Sequence, residues 1–242
     1  MLFIFSTISI FAQEIPGDYN VNPPLVTRLA VLAGLALLPF AVMLLTSFVK
    51  IIIVLQLLRS ALGVQQTPPN QVLNGIALML TIYVMFPTGV KMYEASKEII
   101  EQARPKEMFS NQSAQYIIDI VDKSKQPLKE FLQKNCVTKH IKSFYAMAYK
   151  LFPSPYKESL KPNDFIVLVP SFITSQIKAA FEIGVLIYLP FFVIDIVTSN
   201  ILLAMGMMML SPLTIALPIK LLLLVMIDGW TILVQGLVMT FR

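Results

Sequence analysis

The stretch from Glu182 to Trp230 constrains this chain more than any other. From Ile183 to Leu210 there is one charge, Asp195, and from Leu213 to Phe241 there are two, Lys220 and Asp228. Between the two runs lies Met205-Gly206-Met207-Met208-Met209-Leu210-Ser211-Pro212. A run of about 28 apolar residues makes a helix about 42 Å long, more than the roughly 30 Å of a bilayer core. The pattern predicts a helical hairpin with a methionine-rich turn. A charge at mid-bilayer costs about 2.5–3.5 kcal/mol even on the lenient insertion scale. Three such charges call for partner helices or a water-filled path.

Composition sets the class. Hydrophobic residues make up 56% of the chain and charged residues 14%, against about 45–50% and about 25% in soluble domains. A lipid-exposed backbone is satisfied only as helices or a closed barrel. A barrel would show short alternating segments, and these runs are long and continuous. The expectation is an all-α integral membrane protein of kinked helical hairpins with a charged, water-facing helical insert. The net charge of +5 suits loops facing anionic lipid better than nucleic-acid binding. One cysteine, Cys136, allows no intrachain disulfide, and one histidine, His140, excludes a multi-histidine metal site within the chain. No HExxH, Walker A or GxSxG pattern occurs, so neither metal nor cofactor is expected.

Four segments follow along the chain. Residues 1–24 hold a short apolar run, Met1 to Ala12, that reads as a signal peptide or a hydrophobic tail, then a polar linker with Pro23-Pro24. Residues 25–90 form a first hairpin. Its first run, Leu25 to Leu58, contains Pro39, with Thr46 and Ser47 able to return bonds to the backbone, and Gly63 ends the helix. Pro68-Pro69 mark the turn, and Pro87 breaks the second run, Gln71 to Gly89. Residues 91–164 are a different material, carrying most of the 19 basic and most of the 14 acidic residues. Val137, Ile141, Phe144, Tyr145, Ala148 and Phe152 follow the spacing of an amphipathic helix. Leu128, Phe131 and Leu132 suggest another, with Pro127 near its first turn. Residues 165–242 contain the C-terminal hairpin, with Pro190 interrupting its first arm. Lys50 and Arg59 beside the short first loop favour a cytoplasmic side for that loop, which puts the insert outside the cytoplasm.

The candidate sites are charges and methionines. Lys178 and Glu182 are four apart and can pair on one helix face. Lys220 and Asp228 are eight apart, which makes a direct bond doubtful. Each more plausibly pairs across an interface, for example with Asp195 or Glu182 of this or another subunit. Asp195 and Asp228 also admit a catalytic reading, an intramembrane aspartyl protease in which two carboxylates share a proton. Their surroundings, Val-Ile-Asp-Ile and Met-Ile-Asp-Gly-Trp, lack a Gly-x-Gly-Asp context. Met207, Met208 and Met209 sit at the turn and cannot all face one helix core. Methionine is soft and adaptable. Several copies around an axis would form a deformable apolar ring able to block ions and yield to a passing polypeptide. A polytopic scaffold without a pore of its own is the plainer alternative.

From Leu38 onward the chain resembles the FliP/SctR family of type III protein export gates. The anchors are Thr46-Ser-Phe-Val-Lys50, Leu57-Leu-Arg-Ser-Ala-Leu-Gly63 and Pro68-Pro-Asn70. Further on come Pro170-Ser-Phe-Ile-Thr-Ser-Gln-Ile-Lys-Ala-Ala-Phe-Glu-Ile-Gly184, Met205-Gly-Met-Met-Met209, Pro218-Ile-Lys220 and Asp228-Gly-Trp230. Ser171 and Ile219 depart from the family pattern, where alanine and an aromatic are expected. The resemblance implies a non-enzymatic pore subunit in the bacterial inner membrane, within the secretion-system basal body. It implies a homopentamer joined by FliQ/SctS-like and FliR/SctT-like subunits, with FlhB/SctU-like and FlhA/SctV-like components nearby. It implies passage of secreted unfolded polypeptides, a periplasmic insert, and a closed constriction lined by Met207, Met208 and Met209. Val64-Gln-Gln-Thr67 and Thr198-Ser-Asn-Ile201 look more like the injectisome branch than the flagellar one.

Overall fold

The computed structural model describes residues 23–64, 67–102, 111–207 and 209–241. The readings of Met1–Ala12 and of Met208 fall outside them. The described residues form helices and connecting turns, with no strand among them. In chain order these are α1 (Pro23–Leu45), α2 (Phe48–Leu62), α3 (Asn70–Gln102), α4 (Asn111–Lys134) and α5 (Thr138–Leu151). They continue as α6 (Tyr156–Ser159), α7 (Phe165–Ala204), α8 (Pro212–Met226) and α9 (Gly229–Met239). By length and composition two helices can cross a membrane, over Asn70–Lys97 and Phe165–Ala204, or up to four segments if each bent helix pair is one span. The protein is an all-α, membrane-embedded chain.

Three prolines behave differently from the sequence expectation. Pro87 does not break the second run, because α3 continues through it for 33 residues. Pro190 does not interrupt the hairpin arm either, since α7 is continuous over 40 residues and begins at Phe165. Pro127 lies deep inside α4 rather than in a first turn. At Pro87 and Pro190, in the membrane-length helices, a proline removes one ladder bond, but leaving the helix in lipid would strand many more backbone groups. Elsewhere in the same helices hydroxyls bond back to the preceding turn: Thr81 Oγ1 donates to Ala77 O at 2.6 Å and Thr198 Oγ1 to Ile194 O at 2.8 Å.

The opposite correction applies to the return arm. It breaks at Ile227-Asp228, where α8 and α9 meet at 65°. Asp228 takes the left-handed conformation with φ of 49°, a state that Asp and Asn tolerate better than most residues. The Asp-Gly dipeptide was the local sign of this turn. Gly63 ends α2 as expected, left-handed at φ of 80° with its N–H on Ser60 O.

The chain folds into two units that interleave along the sequence. The first comprises Met1–Leu45 with Pro87–Phe172, the second Thr46–Phe86 with Ile173–Arg242. In the first unit Phe131, Leu132, Ala148, Val167, Leu168 and Phe172 are buried, and the Phe131 and Phe172 rings meet at 5.9 Å. In the second unit one apolar cluster gathers Ile51, Val54, Leu55, Leu73, Ala77, Ala180 and Leu237. A neighbouring one holds Leu58, Ala61, Leu62, Phe191 and Leu224. Between α2 and α7 the approach is close at Gly184, where a Cβ would sit 2.2 Å from Leu57 Cδ1. A larger residue at 184 would force the Leu57 side chain to move.

Candidate functional site

The site is built at the base of the C-terminal hairpin. On α8, Ala216, Lys220 and Leu224 recur every fourth residue and all three are buried. Lys220 is thereby carried into the interior of the second unit, at 2% exposure. Its ammonium donates to Asp195 Oδ2 on α7 at 2.7 Å and to Ala61 O on α2 at 2.9 Å. Ala61 O is one of the last four carbonyls of α2, which have no partner within their own helix. A cation suits that end because the helix dipole is negative there. Lys220 therefore ties three helices together through one buried charge. Asp195 keeps 35% of its side chain exposed, so one edge of the carboxylate faces outward from the unit.

Above this tie the chain turns at the methionines. Gly206 is left-handed at φ of 73°. Its N–H bonds Leu203 O at 3.0 Å, and the N–H of Met207 bonds Leu202 O at 3.0 Å. This crossed pair is a Schellman ending, which satisfies the last carbonyls of α7 and fixes the exit direction. Ser211 then precedes Pro212, the first residue of α8, and proline is preorganised for that position. Thr214 Oγ1 closes the start of α8 on Ser211 O at 2.7 Å. The turn is short and bounded at both ends. It leaves Met205 and Met207 exposed and Met209 fully exposed, at 103%.

The remaining charges separate into two groups. Lys178 and Glu182 pair on α7 at 3.5 Å, and both are exposed. Asp228 is also exposed and accepts from Thr231 Oγ1 at 2.9 Å. Lys220 takes Asp195 and not Asp228. The two aspartates thus have different partners, a lysine for one and a threonine for the other. Among the described residues no group of three or more His, Cys, Asp or Glu side chains could hold a metal ion.

Two cations had a larger structural part than sequence reasoning gave them. Lys50 lies inside α2 at 4% exposure. Its ammonium donates to Thr240 Oγ1 at 3.2 Å and sits 3.7 Å from the centre of the Phe241 ring. Arg59 clamps the connection to α3, donating to Pro68 O at 3.2 Å and Asn70 Oδ1 at 2.7 Å. The signal for Lys50 was its place inside an apolar helical period. Its partners, nearly two hundred positions away, left no local trace.

The family model for the FliP family matches residues 31–237. The chain belongs to the FliP family. It is 43% identical to the Yop proteins translocation protein R of Yersinia pestis over 228 residues, covering 94% of this chain and 98% of that protein. It is 41% identical to the hypersensitivity response secretion protein HrcR of Ralstonia nicotianae over 222 residues, covering 91% and 99%. Similarity extends to the flagellar biosynthetic protein FliP of Buchnera aphidicola, 40% identical over 228 residues, with 93% of this chain and 56% of that protein covered. As a FliP-family member the chain is a component of a type III protein export apparatus. The matched region spans the Lys220 tie, the methionine turn and the Lys50 contact except for its C-terminal partners.

Proposed function

We propose that this FliP-family chain is a non-enzymatic, pore-forming subunit of the export gate. Five copies assemble with FliQ/SctS-like and FliR/SctT-like subunits in the bacterial inner membrane, near FlhB/SctU-like and FlhA/SctV-like components. The gate passes secreted unfolded polypeptides, and the charged insert faces the periplasm. The observation that carries this reading is the exposed methionine turn on a hairpin whose base is held by Lys220. An apolar tip without intrachain cover needs a partner surface, and copies of itself around an axis supply one. Met207, Met208 and Met209 would then form the closing ring, soft enough to seal and to part.

The length of α7 supports the assembly. Its 40 residues span about 60 Å, roughly twice a bilayer core. The exposed Lys178–Glu182 pair then lies against neighbouring subunits or water rather than lipid. The injectisome branch is favoured because relatives matched over nearly their whole length carry secretion and translocation names. The flagellar relative is covered over only 56%.

The test is ion conductance of the purified assembly in planar bilayers. Replacing Met207, Met208 and Met209 by glycine is expected to raise the leak while the native mass still reports five copies with the smaller subunits. Unchanged leak in an intact assembly removes the sealing role. A monodisperse monomer in the presence of the partner subunits removes the ring.

A further inference from the structure

Beside the bend at Asp228 the second unit leaves a space that its own side chains do not fill. Residues of α8 and α9 line a cavity of about 360 Å³, together with residues 183–191 of α7 and Leu58 of α2. On α9 the lining runs Gly229, Ile232, Leu233, Gly236 and Leu237, then continues to Thr240. That spacing is i, i+3, i+4, i+7, i+8 and i+11, one side of a helix. From Gly229 to Thr240 the helical rise gives a stripe about 16 Å long. Among the described residues lining the cavity, Thr240 has the only polar side chain. Gly236 has no packed neighbour to account for it. A Cβ there meets nothing within 4 Å, and glycine inside a helix is destabilising relative to alanine. What the missing side chain provides is room in the cavity.

The Thr240 end of the stripe is where Lys50 stands. Its ammonium meets Thr240 Oγ1 at 3.2 Å and the face of the Phe241 ring. No carboxylate pairs with it among the described residues. An ammonium has three N–H donors, and a buried cation without an anion is costly. The cavity and the cation together fit one kind of molecule. Apolar walls suit hydrocarbon, and the volume falls within the range of ligand cavities, about 300–1,000 Å³. The stripe matches the depth of one leaflet, half of a roughly 30 Å bilayer core. A lysine at one end suits a phosphate head. In a membrane-embedded chain, acyl chains are the hydrocarbon that reaches such a cavity. We infer that the cavity holds one acyl chain of an anionic phospholipid. Its phosphate is held by Lys50, and its chain lies along α9 toward the bend.

The test uses the full chain, purified in detergent and stripped of lipid. It is given phosphatidylglycerol carrying a photoreactive diazirine on one acyl chain, and mass spectrometry of the digested chain locates the crosslink. Crosslinks are expected between Gly229 and Thr240 and on residues 183–191 of α7. Unlabelled phosphatidylglycerol should compete roughly fivefold better than phosphatidylcholine, the effect of one lysine on an anionic lipid. Lys50→Gln should remove that preference and leave the crosslinks in place. Gly236→Leu has room for its first side-chain atom and should fill the cavity, abolishing the crosslinks on α9. Crosslinks spread over all exposed helical faces overturn the inference. So does equal competition by the two lipids, a preference that survives Lys50→Gln, or labelling unchanged by Gly236→Leu. Labelling that is lost from the parent chain once further copies assemble on it also overturns it, since the cavity would then be a subunit contact.

Discussion

Replacing Lys220 probes the site most directly. Lys220→Ala removes the bonds to Asp195 Oδ2 and Ala61 O, at 2.7 and 2.9 Å. The carbonyl at the end of α2 loses its donor, a penalty of about 1–3 kcal/mol when buried. The carboxylate loses its counter-ion, which in a fully buried pair costs about 3–5 kcal/mol. Asp195 is 35% exposed, so only a part of that applies, about 1–2 kcal/mol after solvent screening. The missing stem leaves a small void among the neighbours of Ala216 and Leu224. Together about 3–5 kcal/mol is expected, the contributions being non-additive. Lys220→Met restores the stem and should lose about 2–3 kcal/mol. The assay is unfolding of the detergent-solubilised chain by dodecyl sulfate, followed by circular dichroism. A cycle of Lys220→Met with Asp195→Asn should show coupling of about 1–3 kcal/mol. A Lys220→Met chain as stable as the parent, with the cycle additive within about 0.5 kcal/mol, would refute the three-helix tie.

Two glycines give further outcomes in the same unfolding assay. Gly184→Ala places a Cβ 2.2 Å from Leu57 Cδ1 and should destabilise by about 1–3 kcal/mol through overpacking. The loss should shrink in a Leu57→Ala background, and an unshrunken loss would locate the cause elsewhere. At the methionine turn, Gly206→Ala meets no neighbour within 4 Å but must adopt φ of 73°. It should cost about 1–2 kcal/mol from that conformation alone, and Gly206→Asn less. Equal stability of both variants would mean that the turn is not held left-handed.

Much of the fold was legible because it is local. Long apolar runs report helices in lipid, Gly63 reports a helix end, and Met205–Pro212 reports a turn whose bounds the structure reproduces. Prolines misled because their cost was weighed as in water. In lipid the alternative to the helix is worse, so Pro87 and Pro190 remain inside α3 and α7. The bend at Asp228 was missed because hydropathy is blind to a single left-handed residue. The aspartates looked equivalent in sequence, yet only Asp195 meets a lysine.

What the sequence alone determined is therefore the class of molecule, its long apolar helical runs though not their bends at Thr46-Ser47 and Ile227-Asp228, the methionine turn and the family. Those rest on composition, on periodicity and on motifs a few residues long, each acting within a helical turn or two. What only the tertiary structure decided is who holds each charge. Lys220 reaches Asp195 across 25 positions and Ala61 across 159, and Lys50 reaches Thr240 across 190. No periodicity encodes such distances. They are set by how the helices cross and which side chains that crossing brings together.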